Sequence, residues 1–245
     1  MAAAGPGVPG ADVTGTGATV RLLADTTAGT KPGLVCRLIE VAADAQFADV
    51  AVNAQLWYVL DGNGELSLPE EPSQPARQLG PDQGLLLPAG TRYRVTAAGP
   101  GLLRMHAATL PAASGSQPAD GATPLVRQLA ECAVETTGDR RFRVLFGPGR
   151  GCTAATQFVG EIPPGRAAVH SHPYDEVVLI LDGVGVAHAD NRRQPLAAGS
   201  CVHLPPGVLH CLENTGRDTL RVLGVFHPAD SPAAKLAQTG EAESG

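Results

Sequence analysis

Aromatic residues are scarce in this chain of 245 residues, at 4% with a single tryptophan. Its core must therefore come from Val, Leu, Ile and Ala, in a sequence that is 43% hydrophobic. Lysine is almost missing, with Lys31 and Lys235 the two in the chain, and the net charge is −6. With no basic run either, nothing suits a nucleic-acid backbone or an anionic membrane surface as partner. No apolar run approaches the roughly 18 residues needed to span a bilayer. The opening segment MAAAGPGVPGADVTGTG has neither the basic nor the apolar block of a signal peptide. A cytoplasmic location is the resulting expectation. The five cysteines (Cys36, Cys132, Cys152, Cys201, Cys211) are odd in number and hold no CxxC pair. Free, buried thiols are expected from them rather than a disulfide framework.

Glycine (30) and proline (21) are plentiful by contrast and imply many turns, which suits an all-β architecture. No long helix is legible; its best candidate, Leu125 to Val134, reads as a strand. The densest pattern lies between Gly165 and Asn214. It opens with GRAAVHSHPYDEVVLILDG, which places His170, His172, Glu176 and Gly183, and closes with GSCVHLPPGVLHCLEN, which places Gly199, Pro205, Gly207, His210 and Asn214. His170 and His172 are two apart, so on a strand they would share a face. The run from Glu176 to Leu181 predicts the next strand, and His210 follows a Pro-Pro-Gly turn into a third. Three imidazoles and a carboxylate are what a first-row divalent ion requires.

These two motifs resemble those of the cupin superfamily, with every defining position present. The resemblance implies a jelly-roll β-barrel with a metal near its centre. It also implies His170, His172, Glu176 and His210 as ligands of one divalent ion per chain: Fe, Mn, Ni, Co or Zn.

The pattern also repeats within the chain. Asp61-Gly62-Asn63-Gly64 echoes Asp182-Gly183-Val184-Gly185, and Leu87-Pro88-Ala89-Gly90 echoes Leu204-Pro205-Pro206-Gly207. The first strands Val20–Ala24 and Val126–Ala130 correspond, and each half closes on an apolar strand ending in a histidine, His106 and His227. The expected architecture is all-β, two tandem cupin-type barrels. Barrels are expected at 18–110 and 124–230, a linker at 111–123 and tails at 1–17 and 231–245. Residues 65–80 are expected as a loop. Alignment through the shared Asp-Gly puts Gln55 at the place of Glu176, Ala51 at His172, Asp49 at His170 and Tyr93 at His210. That set cannot hold a divalent ion, so the first barrel is expected to be metal-free.

Alternation from Glu176 points Val178 and Ile180 inward and Val177 and Leu179 outward. Arg143, Gln157, Tyr174, His188 and Phe226 are candidate substrate contacts. Glu176 and His203 are candidate catalytic groups, Glu176 because a carboxylate can loosen from a metal and take a proton. The resemblance implies an enzyme acting on a small oxygen-bearing metabolite. Dioxygenase chemistry is favoured slightly, ahead of redox-neutral isomerase, cyclase, lyase or hydrolase chemistry. A metabolite-binding barrel without turnover is the third reading. Exposed sheet edges suit a homodimer.

Overall fold

Short strands with period-two burial dominate the chain. The strand Arg92–Ala98 shows the pattern: Tyr93, Val95 and Ala97 are buried while the side chains between them reach solvent. The computed structural model describes residues 11–12, 17–28, 31–112 and 124–233. The expected linker and tails fall largely outside these. Among the described residues, four antiparallel sheets pair into two barrels, and one 3₁₀ turn, Leu129–Glu131, is the helical element. No helix is long and apolar enough to cross a membrane.

In the N-terminal barrel the larger sheet runs Ala18–Asp25, Val35–Val41, Leu103–Thr109, Gln55–Asp61, Gln83–Leu87. The smaller runs Gln46–Val50, Arg92–Ala98, Asn63–Ser67, Arg77–Leu79. Residues 65–80 are thus a hairpin rather than a loop, since Glu65 pairs with Gln78. The C-terminal barrel pairs Glu135–Thr137, Arg140–Phe146, Thr156–Ile162, Leu220–His227, Asp175–Asp182 and Cys201–Leu204 in its larger sheet. Its smaller sheet orders Gly165–Arg166, His210–Asn214, Val184–Ala189, Arg192–Ala197. The chain steps from larger to smaller sheet at Gly62 and Gly183, both at positive φ. A Cβ at Gly62 would lie 2.2 Å from the Leu102 carbonyl oxygen, so the step needs glycine.

The two larger sheets pack back to back. This is why Asp175–Asp182 reads as a continuous apolar run: both its faces are covered. Val178 and Ile180 point into their own barrel, while Val177 and Leu179 join a cluster with Leu56, Tyr58 and Leu86 of the other half. Each such side chain contributes about 1.5–3 kcal/mol on burial, so the shared cluster holds the halves together. Polar ties frame it. Lys31 Nζ lies 3.0 Å from Asp175 Oδ2, and Arg221 Nη2 lies 2.8 Å from Asp82 Oδ1, which also accepts the Tyr58 hydroxyl.

Two elements differ from expectation. The strand Leu125–Gln128 does not open the second barrel; it pairs with Gln83–Leu87 and covers the edge of the first. His106 lies in mid-strand, not at a strand end, and it faces the interface between the barrels. Its neighbours Met105 and Ala107 point into the barrel core, and its cross-strand partners are Leu38 and Tyr58. All five cysteines are free and buried.

Candidate metal centre

The C-terminal barrel brings His172, Glu176 and His210 together at its mouth, all three buried. Their ligand atoms lie within 4.8 Å of one another. Glu176 lies at the start of the strand Asp175–Asp182, with its inward direction fixed by Val178 and Ile180 on the same face. His210 opens the strand that follows the Pro205-Pro206-Gly207 turn, where Gly207 takes φ +74°. His170 and His172 are not on a regular strand. Their segment is held by one bridge, in which the backbones of His170 and His210 exchange hydrogen bonds of 2.9 and 2.8 Å. His170 is half-buried beside the trio, with its ring centroid 4.5 Å from that of His210. It lies outside the tight group and is the peripheral member of the expected set.

Each imidazole is oriented in the same way. Nδ1 of His170, His172 and His210 faces the carbonyl oxygen of Ala168, Tyr174 and Val208 at 2.9, 2.7 and 2.8 Å. A carbonyl only accepts, so Nδ1 carries the proton and the Nε2 lone pair points away from the backbone. His210 Nε2 is buried with no protein partner. His172 Nε2 lies 3.0 Å from Glu176 Oε2. Burial lowers the His210 pKa from 6.5 to about 4 and lowers that of His170 as well. His170 and His210, kept neutral by burial and tied through Nδ1, together with His172 beside the Glu176 carboxylate, are the donor chemistry a divalent ion needs. Two ligands at 2.0–2.2 Å from one ion lie at most about 4.4 Å apart, close to the spread seen. The residues present therefore fit a metal.

The surrounding cavity is small, ≈ 90 Å³. Tyr174 stacks on His172 with ring centroids 4.2 Å apart and packs on Phe226 at 4.6 Å. Phe158 lies 4.9 Å from Phe226 and completes the aromatic wall. Burial, then the Glu176 charge, pushes the Tyr174 phenol well up, so it stays protonated.

Tyr174 and Phe226 therefore line the site as expected, and four other candidates do not. Arg143 points outward, where Nη1 donates to the carbonyls of Leu129, Ala130 and Cys132 and ties down the 3₁₀ turn. Gln157 is fully buried at the interface between the barrels, near Gly84. His188 faces outward onto Glu213 at 2.6 Å. His203 sits on the back of the sheet, 2.7 Å from the Asp175 carboxylate that Lys31 also holds. In each case strand parity is the reason, because these residues alternate with the inward ones. The same parity singles out a residue that inspection of the sequence missed. Arg140 shares a face with Phe142 and Val144, lines the cavity, and forms no ion pair among the described residues. Its neighbour Arg141 is paired with Glu161 at 2.8 Å.

Comparison with known proteins agrees with this geometry. Residues 158–226 match the family described as Cupin domain. An oxalate-binding protein of Thermotoga maritima is 35% identical over 68 residues, 27% of this chain and 56% of that protein. An uncharacterized protein of Methanocaldococcus jannaschii is 30% identical over 69 residues, 27% of this chain and 55% of that one. The chain thus spans just over half the length of these curated relatives. Among solved structures, the protein Ylba of E. coli superposes with TM-score 0.69 at 14% identity, over 91% of this chain and 87% of that one. A mutant of Bacillus subtilis oxalate decarboxylase OxdC gives TM-score 0.70 at 13% identity, over 88% and 74%. At such identities the likeness is one of fold.

Proposed function

We propose that this chain, whose residues 158–226 match a cupin domain, is a metal-dependent enzyme acting on a small, oxygen-bearing organic anion. The observation that carries this reading is the buried trio His172, Glu176 and His210, with an unpartnered Nε2 on His210 and an arginine at the rim. Those three residues, with His170 beside them, would hold one divalent ion. A bound ion would supply Lewis-acid polarisation of a substrate oxygen or, if redox-active, dioxygen chemistry.

The chain's own residues set the rest. The cavity at the trio is small, ≈ 90 Å³, and favours a small substrate. A carboxylate of a few non-hydrogen atoms suits this space. Arg140 offers a guanidinium fork to such a carboxylate, and the wall of Phe158, Phe226 and Tyr174 excludes water. Glu176 is the group placed to take or return a proton.

Oxidative chemistry with dioxygen and redox-neutral chemistry both remain within this reading. A small carboxylate as the ligand is supported by the oxalate-binding protein of Thermotoga maritima, 35% identical over 68 residues. The test is elemental analysis of protein purified without added metal, paired with oxygen-electrode and product assays on two- to four-carbon carboxylates. About one equivalent of a transition metal, with turnover lost in His210→Ala, supports the proposal. A protein that binds no metal on reconstitution refutes it.

A further inference from the structure

Strand register extends the match between the halves beyond the metal ligands, to the wall facing them. Both halves carry the same bulge, with Leu60 and Leu181 as the extra residues opposite the last strand. Counted from it, Gln55 faces Thr109 as Glu176 faces Phe226. One ladder further, Arg37 faces Ala107 as Phe158 faces Gly224. In the smaller sheets Asp49 pairs with Tyr93 as His170 pairs with His210. The aromatic pair Phe158 and Phe226 is thus replaced in the first barrel by a guanidinium and a hydroxyl. Arg37 Nη1 and Thr109 Oγ1 lie 3.4 Å apart there.

The mouth of this barrel has not been filled in. It holds a cavity of ≈ 330 Å³, lined by Arg37, Asp49, Asn53, Gln55, Tyr93 and Thr109 among others. That volume lies within the ~300–1,000 Å³ of small-molecule pockets. Its floor is fixed: Trp57 stands edge-on to Tyr93 at 4.9 Å, and its Nε1 donates to Gln55 Oε1 at 2.7 Å. The Gln55 amide donors and the half-buried Arg37 guanidinium have no carboxylate partner among the described residues. The carboxylate in the lining, Asp49, is exposed on the rim, with Oδ1 taken by the Val50 N–H at 2.7 Å. A concave site rich in unpaired donors, with a planar cation on its wall, matches a carboxylate.

We propose that the N-terminal barrel is a second, metal-independent site that binds a small carboxylate through Arg37, assisted by Thr109, Gln55 and Tyr93. The C-terminal barrel takes its positive charge from an ion, whereas the N-terminal one carries it on its own chain. This holds whether or not the C-terminal barrel turns anything over.

Trp57 is the single tryptophan of the chain and touches the cavity wall, so its fluorescence reports this site. Lactate and malonate are titrated into full-length protein, both as purified and after chelator treatment, up to about 10 mM. The expected result is a saturable change in emission, unaltered by chelation and by His210→Ala. Arg37→Gln should raise Kd roughly tenfold or more, from the loss of a charge-assisted hydrogen bond. Thr109→Phe, which installs the residue of the other barrel, should abolish the response while leaving thermal melting intact. The proposal is overturned if neither probe gives a saturable response, if a folded Arg37→Gln binds as the wild type does, or if His210→Ala removes the signal.

Discussion

His106→Leu tests how the two barrels are joined. His106 is 1% exposed at the interface, and neither ring nitrogen has a hydrogen-bond partner. By register its counterpart in the other half is Leu223, which lies opposite Leu179 as His106 lies opposite Tyr58. Leucine is thus the residue the same geometry accepts elsewhere in this chain. Burial lowers the His106 pKa from 6.5 to about 4. The folded state therefore favours neutral imidazole, and below pH 6.5 the unfolded chain binds the extra proton. The stability tied to this group is intact above about 6.5 and falls as pH drops toward 4. A separation of about 2.5 units at 1.36 kcal/mol each gives about 3 kcal/mol in total, of which about 2 kcal/mol is gone by pH 5. At neutral pH, removing an unpaired buried donor should also raise stability by about 1 kcal/mol. Urea denaturation of both proteins at pH 7 and pH 5 measures both effects. The variant should be slightly more stable at pH 7 and clearly more stable at pH 5. Parallel losses in the two proteins between these pH values would refute the assignment of His106 as a buried neutral group.

Three further outcomes follow from the same geometry. His210→Ala should drop metal content from about one equivalent to near zero with the fold retained, whereas Tyr93→Phe should leave it at about one; elemental analysis with a circular-dichroism melt reads both. Gly224→Ala should cost about 1–3 kcal/mol in urea denaturation, because its Cβ would lie 2.1 Å from Phe158 Cε1. Adding Phe158→Leu should restore most of that loss. The two nearby arginines should separate in kinetics. Arg140→Leu should raise KM for a carboxylate substrate roughly tenfold without changing thermal stability, while Arg143→Leu should lower stability and leave KM unchanged.

The candidate ligands stand out in the sequence because they are unusual residues at fixed offsets from glycines and a proline, and three of them, His172, Glu176 and His210, meet in the structure. The barrel interior is legible because Val178 and Ile180 alternate with Val177 and Leu179, and that parity holds in the structure. What remained hidden was the second covered face. A strand buried on both sides gives no polar signal to mark its outward residues, so Gln157 and His203 read as lining when they point toward the other half. Arg140 has the parity of Phe142 in the strand Arg140–Phe146, and Arg143 has the opposite one, so the inward arginine is the one the sequence reading did not name. The placement of Leu125–Gln128 on the first barrel is a long-range pairing, and nothing in four residues of local sequence encodes it.

Strand register relates the mouths of the two barrels residue by residue. Between the halves the backbone ladder, the bulge at Leu60 and Leu181, and the glycine step at Gly62 and Gly183 coincide. What differs is a handful of inward side chains at the mouth. Histidine is exchanged for tyrosine at 210 and 93, glutamate for glutamine at 176 and 55, phenylalanine for arginine at 158 and 37. Glycine 224 is part of that set, because the Phe158 ring lies against its backbone and leaves no room for a Cβ. Ala107, its counterpart, faces a guanidinium that reaches toward Thr109 instead. The aromatic wall, the space beneath it and the ligand trio are therefore one coupled arrangement. Converting the first barrel into a metal centre would require Ala107→Gly and Arg37→Phe together with the four ligands. Installing histidines alone at 49, 51 and 93 with Gln55→Glu should yield a barrel that folds yet holds metal weakly, because the dry wall that supports the ligands would still be missing.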